Sequence, residues 1–120
     1  MEPTNNKPVI VQKLRKMDGD ILSKAERYYS ILSAVNGLKL TEREIQLIAF
    51  AAVRGNISYG NIRKDFCEKY NTSSATINNI ISKLKKINVL VKEGGKVKVN
   101  GVITLDFTKD VKLEITLTNG

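Results

Sequence analysis

A nine-residue run, IQLIAFAAV at 45–53, constrains this chain more than any other stretch. It follows Thr41-Glu42-Arg43-Glu44, in which Thr41 and Glu44 have capping-box spacing and the two acids suit the positive end of a helix. Wound as a helix, Ile45, Ile48, Ala49 and Ala52 form one stripe, while Leu47 and Phe50 point elsewhere. A helix apolar almost all round must be buried on several sides, and its alanines allow close approach. It is therefore expected at the centre of a core built from the segments on either side, and Arg54-Gly55-Asn56 ends it.

Those segments read as further helices. Asp20 is the expected N-cap of a helix to about Asn36, with Gly37 just past its end. Ile21, Ala25, Tyr28, Leu32 and Val35 mark its stripe, and Leu22, Tyr29 and Ile31 widen it beyond what one packing partner requires. It can serve dimerisation or pack on its own domain, so a homodimer or higher oligomer stays open. After the central helix, Ser58 is expected to cap a short helix to Tyr70, with Ile62, Phe66 and Tyr70 inward and Arg63, Lys64 and Lys69 outward. Cys67 sits one position off that stripe as a small, semi-buried residue. Asn71-Thr72-Ser73 is a tight turn, with Asn suited to the left-handed conformation.

Ser73 to Ile87 is the most amphipathic stretch. Ile77, Ile80, Ile81, Leu84 and Ile87 gather on one side. The other side carries Ala75, Asn78, Asn79, Ser82 and Lys86, flanked by Lys83 and Lys85, with no acid among them. A solvated surface is the plainer account of such a face. The sharper one is recognition, because Asn can bond adenine N6 and N7 together and Lys can reach phosphate or guanine.

Beyond it, Val89–Lys92 and Lys96–Asn100 alternate in character around Gly94-Gly95, a pair suited to a two-residue hairpin turn. Leu40–Asn100 thus resembles a winged helix-turn-helix domain over about half the chain. TEREIQLIAFAAV stands as its first helix, YGNIRKDFCEKY as its second, SSATINNIISKLKKI as its recognition helix and VLVKEGGKVKVN as its wing. The resemblance implies that the third helix enters the major groove. Ala75, Asn78, Asn79 and Ser82 would then face bases, Lys83, Lys85, Lys86 and the wing's Lys96 would face phosphates, and Ser74 completes the DNA-binding set. The wing departs from the family pattern: it is short, its tip carries Glu93, and it has no tip Arg for the minor groove.

The ends add further elements. Residues 1–17 read as a polar tail containing a short strand, Pro8–Leu14. In Gly101–Gly120, Ile103, Leu105 and Phe107 alternate with polar residues, as do Val111, Leu113, Ile115 and Leu117 after Thr108-Lys109-Asp110. That regularity predicts a second β-hairpin, with an edge open to another subunit unless the first strand covers it. The expected fold is α+β: one domain with a winged helix-turn-helix core, an extra N-terminal helix and an additional C-terminal hairpin.

Charge and composition narrow the function classes. Net charge is +7 over residues 37–100, against +2 before and −1 after, so the excess surrounds the candidate recognition helix. The chain has no histidine and one cysteine. No Cys/His metal site can be assembled, and the commonest general base is missing. Gly94-Gly95-Lys96 lacks the flanking residues of a phosphate-binding loop. No catalytic residue, cofactor or metal site is expected, and the chain does not read as an enzyme. No apolar run reaches membrane-spanning length and no signal-peptide pattern starts the chain, so a cytoplasmic protein is expected. Membrane binding is not, since no apolar helix face lies exposed beside the basic surface.

Two functions remain. The first is sequence-specific binding of double-stranded DNA as a transcriptional regulator. The second is a protein-interaction or assembly module, such as a phage virion subunit, using the C-terminal hairpin and the N-terminal segment for subunit contacts. The Lys-, Asn- and Ile-rich composition suits a phage or a bacterium.

Overall fold

A computed structural model describes residues 20–112, 114 and 116. The expected strand at Pro8–Leu14 and the tail around it lie outside the described residues. The fold is α+β. Helices α1 (Asp20–Val35), α2 (Glu42–Arg54), α3 (Gly60–Tyr70) and α4 (Ser74–Lys86) precede an antiparallel pair, β1 (Leu90–Glu93) and β2 (Lys96–Val99), and a 3-10 turn at Gly101–Ile103. None of the described helices is long and apolar enough to cross a membrane.

The central position of α2 follows from its composition. Leu47, Ile48, Ala49, Phe50 and Ala51 are consecutive and all buried, which requires partners on more than one side. Its start is the capping box: Thr41 Oγ1 accepts from Glu44 N, and Thr41 N donates to Glu44 Oε1 at 2.8 Å. Gly55, at φ 94°, ends it with its N–H on Ala51 O. Phe50, Phe66 and Tyr70 form an aromatic cluster that holds α3 to α2, with the Phe50–Phe66 centroids 5.4 Å apart and near-perpendicular.

Helix α1 begins at Asp20 itself. It ends in a Schellman motif, with Gly37 at φ 66°, Leu38 N on Ser33 O and Gly37 N on Ala34 O. Its inner face is centred on Ala25 and Tyr29, both buried. The stripe expected through Ile21 and Val35 reaches solvent at both ends, where these residues are 39% and 54% exposed. The Tyr70 hydroxyl donates to Glu26 Oε2 at 3.0 Å and ties α3 to α1. Burial, reinforced by that carboxylate, holds the Tyr70 phenol well above its ordinary pKa.

Ser58 does not cap α3. The Asn56 carbonyl Oδ1 accepts from Ser58 N and Tyr59 N instead, while Ser58 Oγ accepts from Val97 N at 2.6 Å. Ile57 N also donates to Val97 O at 2.9 Å. The α2–α3 connection therefore lies along the free edge of β2, and the Ser58 hydroxyl is used by that edge. Register is set by the turn. Gly94 and Gly95 adopt φ 60° and 80°, as a type I′ turn requires, pairing Glu93 with Lys96 and Leu90 with Val99. Leu90, Val97 and Val99 are buried against the helices.

The expected second hairpin is not formed among the described residues. After Val99 the chain enters a 3-10 turn capped by the Asn100 side chain, and the described residues from Thr104 to Lys112 hold no strand. Two interactions account for this. The Thr104 hydroxyl is engaged by the Val99 and Asn100 carbonyls, which folds the chain back on itself. The Phe107 ring is buried against Tyr28 and Tyr29 of α1, and the Tyr29 hydroxyl donates to Ile103 O at 2.7 Å. Burying Phe107 on α1 replaces strand pairing as the destination of the apolar residues.

Candidate nucleic-acid interface

Helix α4 is positioned from both ends. Asn71, at φ 52°, reverses the chain after α3, and Ser73 caps α4 by accepting from Thr76 N. At the other end Asn88, at φ 62°, closes a second Schellman motif, with Val89 N on Leu84 O and Asn88 N on Lys85 O. Ile77, Ile80, Ile81 and Leu84 are buried and set the rotation of the helix. Ile87, expected on the same stripe, falls at the C-cap and is 42% exposed, because the helix stops one residue before it.

With the inner face fixed, 100° per residue places Ala75, Asn79, Ser82 and Lys86 along the middle of the outer face. All four are exposed, as are Ser74, Asn78, Lys83 and Lys85. The two flanks of this face differ. On the flank toward α3, Ser74, Asn78 and Lys85 line up, and Arg63 Nη1 of α3 donates to Asn78 Oδ1 at 2.9 Å. Arg63 does not simply project outward: its Nε donates to Ile57 O, so the guanidinium is half-buried and anchored.

On the flank toward α2, Lys83 Nζ lies 3.0 Å from both carboxylate oxygens of Glu44. Glu44 is only 7% exposed. Burial raises its carboxyl pKa, but the Thr41 backbone bond, Lys83 and the Thr41 side chain outweigh that effect, and the net pKa is below the ordinary carboxylate value. Lys83 is thus committed to an internal ion pair. The lysines on either side of the outer face have different tasks.

Lys96, the wing residue of the set, is half-buried, and its ammonium sits 5.2 Å from the centroid of the Tyr59 ring. Tyr59 is itself 48% exposed at the start of α3. Such a contact stabilises by about 0.5–1 kcal/mol when exposed. It also holds the ammonium beside α3 while leaving it open to solvent. Glu93 at the hairpin tip approaches Lys98 at 3.8 Å across an exposed surface, which adds little.

The structure thus brings Ser74, Ala75, Asn78, Asn79, Ser82, Lys85 and Lys86 onto one exposed surface, with Lys83, itself 46% exposed, paired to Glu44 at its α2 flank. Arg63 and Tyr59 join its border, although the sequence marks neither for this role. Their signal lies in contacts between elements: Arg63 with Asn78 is 15 positions apart, and Tyr59 meets a lysine beyond the next helix. Comparisons of the chain with protein-family models, with curated proteins and with solved structures find no match.

Proposed function

We propose that residues 40–100 form a winged helix-turn-helix and that the protein binds double-stranded DNA as a transcriptional regulator, with no catalytic activity of its own. The observation that carries this reading is the outer face of α4. It is exposed along its whole length, bears amide, hydroxyl and ammonium groups and no acid, and is held rigidly by four buried aliphatic residues. An α-helix of this kind fits the B-DNA major groove, where side-chain amides can read base edges. Lys85 and Lys86 at its C-terminal end, with Lys96 on the hairpin, supply cations for phosphates. Asn79 and Ser82, with Asn78 at the flank, face bases. The tight α3–α4 turn and the hairpin directly after α4 support the same arrangement.

Phosphate contacts make the logarithm of affinity fall linearly with the logarithm of salt concentration. Fluorescence anisotropy of a labelled random duplex across a salt series tests the reading. Measurable affinity at low salt with a negative log–log slope is the expected result. No affinity for duplex DNA at low salt would reject it.

A specific observation favours a second reading as a protein-interaction module. Ile21, Ile31 and Val35 of α1 are 39%, 40% and 54% exposed, an apolar set on a helix outside the 40–100 unit. The second run of the expected C-terminal hairpin, Leu113, Ile115 and Leu117, lies outside the described residues. A defined oligomer in solution that ignores DNA would favour it over the first.

A further inference from the structure

The two adjacent asparagines of α4 stand in different hydrogen-bonding states. Asn78 is held: Arg63 Nη1 donates to its Oδ1 at 2.9 Å, and the guanidinium is fixed in turn by Nε donation to Ile57 O at 2.9 Å. The two terminal atoms of an asparagine are nearly interchangeable in shape, but a guanidinium has donors only. The amide atom facing Arg63 must therefore be the oxygen, which turns Nδ2 away from it. The Asn79 side chain is exposed and forms no hydrogen bond with another described residue.

These states suit different base edges. Adenine offers N7 as acceptor and N6–H as donor, so a bidentate amide must present both a donor and a free acceptor. Asn79 can do so, whereas the Asn78 oxygen, although it keeps a second lone pair, has a guanidinium cation beside it that repels an approaching N6–H donor. Guanine offers N7 and O6, both acceptors, and asks only for donors. Beside Asn78 Nδ2, the anchored guanidinium adds positive charge and its remaining N–H groups.

Taking the DNA-binding reading as its premise, we propose that Arg63 is a positioning residue that biases Asn78 toward donating to a guanine edge, leaving adenine recognition to Asn79. The arrangement gives the helix two neighbouring amides with non-equivalent base preferences. A phosphate oxygen is also an acceptor, so the test must separate base from backbone.

The full chain is used to select sites from a random duplex library, and anisotropy then compares the selected site with its single-base variants at one salt concentration. One position should favour guanine over adenine by at least about fivefold. Asn78→Asp still accepts from Arg63 but cannot donate. It should lose the guanine preference and favour cytosine, whose N4–H₂ a carboxylate accepts. Arg63→Met frees the Asn78 oxygen and should collapse guanine-over-adenine discrimination at that position alone. Asn79→Ala should erase an adenine preference elsewhere and leave the guanine position intact. Equal binding of all four base pairs at that position would place Asn78 on phosphate and overturn the proposal.

Retention of the guanine preference in both Asn78→Asp and Arg63→Met would also overturn it. Asn78→Asp keeps the Arg63 contact, so its result does not depend on the fold surviving loss of the guanidinium. Duplex binding without any enriched sequence overturns this proposal and leaves DNA binding standing. No binding to any duplex overturns both.

Discussion

Lys83 and Lys85 are two residues apart in one helix, yet they stand in different surroundings. Lys83 lies on the flank facing α2 and closes on Glu44, a carboxylate whose side chain is only 10% exposed. Lys85 lies on the flank facing α3, exposed, with Lys86 beside it on the outer face. The run Lys83-Leu84-Lys85-Lys86 looks like a single basic patch, but Leu84 is buried and divides it. Surroundings in a helix follow the face a residue occupies, and two steps of 100° separate the lysine paired with Glu44 from the one on the α3 flank. The proposed DNA contacts rest on that separation.

The comparison can be broken most severely at Glu44. Glu44→Ala removes a capping-box partner and leaves Lys83 without its carboxylate, and should cost about 2 kcal/mol in denaturant unfolding. Glu44→Gln keeps an acceptor for Thr41 N–H but abolishes the charge, so its cost should be about half that. Unchanged stability in both would show that the α2 flank is not an internal tie.

The same pair has a pH signature. Because the folded Glu44 carboxyl titrates below its ordinary value of 4.5, its contribution to stability is present above about that pH and is lost as pH falls through the folded value. Thermal melts of the parent from pH 6 to pH 3 should fall more steeply than those of Glu44→Gln. Parallel profiles would contradict the pairing.

Smaller effects are expected at the exposed end of the pair. Lys83→Ala should cost about 0.5–1 kcal/mol, since the lysine is 46% exposed and solvent screens much of its attraction. The wing contact is smaller still in stability terms. Tyr59→Ala removes the ring under Lys96 and should change unfolding by about 0.5 kcal/mol. It should weaken DNA affinity only modestly, through a less ordered ammonium. A loss as large as that from deleting the α4 lysines would mean that Tyr59 contacts DNA directly.

What could be read in advance follows the range of the interactions. The α2 capping box, the αL turn at Asn71, the Gly94-Gly95 turn and the aliphatic stripe of α4 as far as Leu84 each involve residues a few positions apart, and stand as the sequence suggests. The Glu44–Lys83 pair spans 39 positions, and no local pattern indicates that this lysine turns inward while its neighbours do not. Ser58 illustrates competition: its hydroxyl suits a helix cap, but β2 takes it and α3 follows Tyr59 with no side-chain cap. At Ile103 to Phe107, period-two alternation suggests a strand, yet the site waiting for Phe107 is the Tyr28–Tyr29 surface of α1. Alternation reports which residues seek burial, not what buries them. The outer face of α4 was legible as a face; the division of its lysines and the tethering of Asn78 were not.

The most direct measurement of the central claim compares the salt dependence of duplex binding for the parent, Lys83→Ala and the double variant Lys85→Ala/Lys86→Ala. Each lost phosphate contact lowers the log–log slope by about 0.9. The double variant should therefore lose about 1.8 from the slope and bind on the order of 100-fold more weakly at low salt, with its unfolding free energy unchanged. Lys83→Ala should keep the parent slope and show its effect in stability instead. A double variant that binds with the parent's slope, or a Lys83→Ala slope reduced as much as the double variant's, would contradict the account.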